Sequence, residues 1–172
     1  MAIAAFGATT QDEKTIIVGM GELRVSGSPD AILSCIGLGS CIAVFAYDRL
    51  VKVGGLVHIV LPRYDGADGN GNIKYANIAV PHLLAEVEKQ GAIRSRLTVK
   101  IAGGAQMTQA PGLRDTFRTG ERNLAEVMAA LLKEKVPMAA ADTGGTAGRT
   151  VKMYLATGKV MVKTVGGVAR EL

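Results

Sequence analysis

Tryptophan is absent, and only four tyrosines and three phenylalanines occur in 172 residues. So thin an aromatic supply argues against binding by base stacking, and nucleic acid is not an expected partner. Cysteine and histidine are equally scarce, at two each. Two thiols do not make a secreted disulfide framework, and their spacing at 35 and 41 fits no zinc pattern. Two histidines leave few further ligands, so a bound metal is not expected. No run of five or more basic residues occurs. The net charge of +5 is carried by scattered Lys and Arg, which suits either a mixed-charge surface or a basic face that steers toward an acidic partner. The first residues, "MAIAAFGATTQDEKT", lack a charged n-region and a long apolar run. Neither a signal peptide nor membrane insertion is expected, which makes the cytoplasm the expected location.

What is abundant is aliphatic and small. The hydrophobic fraction is 48% and glycine numbers 22, which fits one compact Val/Ile/Leu/Ala core with many tight turns. "TIIVGMGELRVS" reads as two short strands broken near Gly19 and Gly21. "AILSCI" (31–36), "CIAVFAY" (41–47) and "KVGGLVHIVLP" (52–62) are Val- and Ile-rich and too short for helices. "RYDGADGNGN" (63–72) is a loop whose acidic residues do not have EF-hand spacing. Val80, Leu83, Leu84 and Val87 predict a helix closed by Gly91, with Pro81 tolerated only in its first turn. "RLTVKIAGGA" is a strand running into a glycine turn. Leu124, Val127, Met128, Leu131 and Leu132 predict a second helix with Met128 in the core. "RTVKMYLATGKVMVKTV" predicts a hairpin turning at Thr157–Gly158. Strict βα alternation is missing. The expected fold is therefore α+β, with largely antiparallel sheets packed as a sandwich and about two helices outside.

The scarce residues meet in "IGLGSCIAVFAYDRLVKVGGLVHIVLP" (36–62). A four-residue turn over Asp48–Val51 pairs Tyr47 with Lys52 and sets Cys41 directly opposite His58 on one face. The glycine turn before Cys41 frees amide N–H groups around Gly39 and Ser40 that suit a developing oxyanion. A thiol beside an imidazole suits nucleophilic catalysis. Both residue types are also ordinary core residues, and geometry alone leaves both readings open.

The same stretch closely resembles the chemoreceptor glutamine deamidase family, CheD: a glycine turn ending in Ser-Cys, an apolar strand, Gly-Gly, then His before Leu-Pro. The resemblance continues through "GMGE" (19–22), "YANIAV" (75–80), "KIAGGAQM" (100–107), "GERN" (120–123) and "DTGG" with Gly148 and Arg149. It spans about residues 15–167, which makes 1–14 a flexible leader and 168–172 a C-terminal tail. It implies a cysteine hydrolase that converts glutamine side chains on chemoreceptor cytoplasmic helices to glutamate, releasing ammonia through a thioester. Cys41 would be the nucleophile and His58 the general base. A CheC-type phosphatase is an implied partner. One position departs: the family's third catalytic residue is typically a threonine six residues before the nucleophile, and here it is Cys35. A thiol accepts hydrogen bonds weakly, so either Cys35 substitutes imperfectly, a backbone carbonyl orients His58, or the enzyme is slow. A binding module that regulates CheC or the receptor without catalysis is the alternative. "GGTAGRT" lacks the ending of a phosphate loop. Asn123 is expected to be a local structural residue, Arg149 either a surface residue or a contact for an acidic partner, and His82 to carry no chemistry.

Overall fold

The computed structural model describes residues 14–66, 72–107 and 118–172. The proposed leader, all but Lys14, and the middle of the 63–72 loop fall outside the described residues. Among the described residues, ten strands form two five-stranded sheets. One sheet contains β1 (Lys14–Ile17), β3 (Ala31–Leu38), β8 (Arg149–Tyr154), β9 (Lys159–Thr164) and β10 (Ala169–Glu171), in that order. The other runs β2 (Leu23–Ser26), β5 (Val53–Ile59), β4 (Ile42–Asp48), β6 (Thr98–Gly103) and β7 (Met138–Thr143). Each sheet has one parallel pair, β1 with β3 and β6 with β7, and is otherwise antiparallel. This is the expected α+β sandwich. The last residues, expected as a tail, instead form β10 along β9, and the Leu172 N–H donates to the Val160 carbonyl at 2.9 Å.

Period-two alternation divides the core. Ala43, Phe45 and Tyr47 of β4 and Leu56 of β5 pack with Leu33, Cys35, Val151 and Met153 of the facing sheet. Ile42, Val44, Ala46, Val57 and Ile59 point the other way. There they meet α1 (Ala76–Lys89) and α2 (Thr119–Lys133). The β2–β5–β4–β6–β7 sheet is thus a middle layer covered on both faces, which is why β4 and β5 are apolar without a break. Gly54 and Gly55 reflect that double cover. A Cβ on Gly54 would run into Met153 of the facing sheet and lie 2.9 Å from Leu155 in the turn after β8, and one on Gly55 would lie 2.7 Å from Leu83 of α1. The pair lets both layers approach the same strand.

In α1, Val80, Leu83, Leu84 and Val87 are all buried, and Gly91 adopts the left-handed φ of 101° expected after a helix end. Pro81 lies past the first turn, where it offers no N–H to the carbonyl of Asn77. The apolar stripe of α2 is rotated from the expected one. Gly120, Asn123, Val127, Ala130 and Leu131 are buried, whereas Met128 is 40% and Leu132 80% exposed. Met128 is therefore not a core residue. The polar Asn123 took the inward position that a hydrophobic count would have given to an aliphatic residue.

The β4–β5 hairpin is pinned at its turn. Asp48 is fully buried and accepts the Leu50 N–H at 3.0 Å, the Ile93 N–H at 2.9 Å and the Arg96 guanidinium at 2.6 and 2.9 Å. Burial pushes its pKa up, but the hydrogen bonds from Arg96, Ile93 and Leu50 outweigh this and hold it at about 2. A carboxyl depressed in the fold stabilises it above the unfolded value near 3.8 and loses that contribution as pH falls through about 2. Asp48→Ala should cost on the order of 3 kcal/mol in denaturant unfolding at pH 7, with the difference from wild type shrinking below about pH 4.

Candidate active site

Cys41 ends the glycine turn one residue before β4, and His58 is the sixth residue of β5. The observed register sets Ala43, not Cys41, opposite His58. The connecting turn covers Arg49–Lys52 rather than Asp48–Val51, so pairing is displaced by two residues. A displacement of two preserves the face. Cys41 is thus a diagonal neighbour of His58 on the side facing the second sheet. Such neighbours have side-chain origins roughly 7–8 Å apart, close enough to meet through their ends. No hydrogen bond joins Cys41 to His58 among the described residues. Cys35 comes from β3 of the facing sheet, its side chain in the same inter-sheet layer.

The turn before Cys41 is held by its carbonyls. The Gly39 carbonyl accepts the Ala105 N–H at 2.8 Å, the Ser40 carbonyl accepts Asn123 Nδ2 at 2.9 Å and the Cys41 carbonyl accepts the Gly104 N–H at 2.8 Å. The N–H groups of Ser40 and Cys41 find no carbonyl acceptor among the described residues. Gly103 has φ 119°, and a Cβ there would run into the Cys41 carbonyl. The glycines of "IAGGA" therefore form the floor against which the Cys41 turn rests.

His58 is 5% exposed. Its Nδ1 lies 3.1 Å from the Val18 carbonyl. A carbonyl only accepts, so Nδ1 carries the proton and Nε2 keeps its lone pair. The Cys35 thiol donates to the same carbonyl at 3.4 Å. Val18, between β1 and β2, thus orients the imidazole and occupies Cys35 at once. Of the three possibilities raised by the departure at position 35, the backbone carbonyl is the one the geometry supplies. Ser34, the next residue along β3, points to the opposite face and donates to the Val151 carbonyl at 2.9 Å.

Burial sets the charge states. It lowers the pKa of His58, although the Val18 carbonyl and the Glu22 carboxylate favour the imidazolium. It raises that of Cys41, opposed by the residue's own backbone N–H. Cys35 is pushed up to about 12 by burial and the neighbouring Cys41. The resting pair is therefore a neutral thiol and a neutral imidazole.

Two residues that sequence patterns left in minor roles are central here. Asn123 bridges the Ser40 and Val60 carbonyls through Nδ2, at 2.9 and 3.0 Å. Arg149 is 4% exposed, neither a surface residue nor free for a partner. It ties the 142–147 turn by donating to Asp142 and to the Gly144 carbonyl. Nothing local in the sequence distinguishes a buried arginine that clamps a turn from an exposed one.

A thiol and an oriented imidazole, beside backbone N–H groups that have no carbonyl acceptor, are the parts that cysteine-dependent hydrolases use. Residues 60–164 match the family model described as CheD chemotactic sensory transduction. The chain is 42% identical over 94% of its length to the probable chemoreceptor glutamine deamidase CheD of Symbiobacterium thermophilum, of which 99% is covered. It is 44% identical to the protein of the same name from Pyrococcus abyssi, covering 92% of this chain and 97% of that one. For that of Caldanaerobacter subterraneus the figures are 42%, 90% and 96%. The chain belongs to the CheD family.

The neutral resting pair has a spectroscopic consequence. Nitrogen-15 NMR at pH 7 should show His58 protonated at Nδ1 and bare at Nε2, titrating below the ordinary histidine value of about 6.5. Iodoacetamide alkylation of Cys41 should rise monotonically into the alkaline range. A low-pH plateau in that rate, the mark of a preformed thiolate–imidazolium pair, is the outcome that would contradict this electrostatic picture.

Proposed function

We infer that the chain is a protein-glutamine deamidase acting on chemoreceptors, with Cys41 as nucleophile and His58 as general base. The observation that carries the chemical roles is the Val18 carbonyl on His58 Nδ1, which leaves Nε2 as a proton acceptor on the Cys41 side of the sheet. Family membership at more than 40% identity over nearly the whole chain supports the substrate class.

As substrate fills the site, His58 Nε2 takes the thiol proton and the sulfur attacks the carbonyl carbon of the glutamine side chain. Hydrogen bonds that are loose without substrate commonly tighten at this stage. The oxyanion develops against the N–H groups of Ser40 and Cys41, and the Gly39 turn lets the backbone present them. The imidazolium returns its proton to the departing nitrogen, releasing ammonia and leaving a thioester. Water, activated by His58, then hydrolyses the thioester to glutamate and restores the thiol. Burial raises the energy of the charged pair, while the Glu22 carboxylate and the Val18 carbonyl stabilise the imidazolium as it forms.

Exposed apolar side chains lie on the segments flanking the site: Met20 (72%), Ile36 (63%) and Met107 (61%), the last packed on Gly39. Such a rim suits the side of a receptor helix presenting a glutamine. The chain acts in the cytoplasm, where those helices lie, and a CheC-type phosphatase is its further partner. No helix among the described residues is long and apolar enough to cross a membrane. The competing reading, regulation by binding alone, drew on Cys35. It loses that support where a carbonyl does the orienting.

Ammonia release and the Gln-to-Glu mass shift on a receptor cytoplasmic fragment test the assignment. Cys41→Ala should abolish both, and His58→Ala should lower kcat by about 10²–10⁴-fold. Cys35→Ser should stay within about five-fold of wild type if Val18 orients the imidazole. The acid limb of kcat/KM should fall below about pH 6.5, because the base must be neutral and its pKa is lowered. Retention of activity in Cys41→Ala would remove the nucleophile assignment.

A further inference from the structure

Asn123 lies in the first turns of α2 with no exposed surface. Its single Nδ2 group reaches the carbonyl of Ser40, just before the nucleophile, and that of Val60, two residues after the base. The β4–β5 ladder closes with Ile42 opposite Ile59. Continued by one pair it would join Cys41 to Val60. Cys41 instead leaves the ladder, and the Asn123 carboxamide stands at the opening.

An NH₂ group has two hydrogens, and each is spent on one of these carbonyls. The orientation follows from chemistry, since the reverse flip would set an amide oxygen against two carbonyl oxygens. The consequence for catalysis comes through peptide planarity. The Ser40 carbonyl and the Cys41 N–H belong to one rigid plane and point in opposite directions. Holding the carbonyl therefore aims the N–H. In the same way the Ala105 N–H, by holding the Gly39 carbonyl, aims the N–H of Ser40.

We propose that Asn123 is a positioning residue that fastens the nucleophile turn to the end of the His58 strand. It sets the separation of thiol and imidazole and aims the Cys41 N–H at the developing oxyanion. This rests on the deamidase reading with Cys41 as nucleophile. It touches neither substrate nor the reacting atoms, and acts through the backbone it holds.

The test compares Asn123→Ala, Asn123→Ser and Asn123→Asp with Val127→Ala, which loosens the buried face of the same helix without touching either carbonyl. Deamidation of the receptor cytoplasmic fragment gives kcat and KM, and thermal unfolding gives the stability loss. Asn123→Ala should lower kcat by about ten-fold or more, the scale of a mis-aimed oxyanion donor, with KM within about two-fold. Asn123→Ser, keeping one donor, should fall between wild type and Asn123→Ala. Asn123→Asp should be the worst, with carboxylate oxygen facing carbonyl oxygen. Val127→Ala should lower Tm while leaving kcat within about two-fold of wild type.

A kcat for Asn123→Ala or Asn123→Ser no lower than that of Val127→Ala would overturn the proposal. If Cys41→Ala keeps full activity, the failure lies in the underlying nucleophile assignment, and the positioning role falls with it.

Discussion

The pairing of β4 with β5 is the constraint on which the rest of the structure depends. Ala43 opposite His58 places Cys41 and the imidazole on the same face of the middle sheet, toward the second sheet. A displacement of one residue would send every side chain of one strand to the wrong layer. Two features at opposite ends of the hairpin secure it. Asp48 locks the turn by gathering the backbone of Leu50 and Ile93 with the guanidinium of Arg96. At the open end, the Asn123 carboxamide holds both strands through the Ser40 and Val60 carbonyls. The double-sided burial of β4 and β5 makes this register costly to leave, since apolar side chains fill both faces.

The site trades resting charge for latent reactivity. Burial keeps the Cys41 thiol protonated and the imidazole neutral, so Cys41 is not a standing thiolate. Val18 fixes the tautomer from the backbone, and Glu22 favours the protonated form of His58. Glycines in "IAGGA" bring the β6 backbone close beneath the Cys41 turn.

Much of this was legible in the chain. Most strands follow from their aliphatic runs, though β7 ("MAAADT") and β10 lack such a run and were not expected. The α+β sandwich follows from the missing βα alternation, and the shared face of Cys41 and His58 from one hairpin. The displacement by two arose because the turn was taken to start at Asp48, a residue that instead ends β4 and satisfies its carboxylate with distant donors. The α2 stripe was misplaced because Asn123 is buried for its hydrogen bonds, which a hydrophobic period does not register. Arg149 differs from its expectation for a related reason: its partners, Asp142 and the Gly144 carbonyl, lie within seven residues, and only the fold of the intervening turn brings them onto the guanidinium. Val18 could not be found from side-chain chemistry at all, because its contribution is a main-chain carbonyl. The motifs that resembled the CheD family were nevertheless placed around one turn: "IAGGA" beneath it and "GERN" beside it.

The most direct test of the central claim is peptide mapping of a reaction with the receptor fragment, quenched in acid within the first turnover. The account predicts a receptor peptide joined through its glutamine carbonyl to the sulfur of Cys41, with Cys35 unmodified. An adduct on Cys35, or on any other residue of the chain, would contradict it.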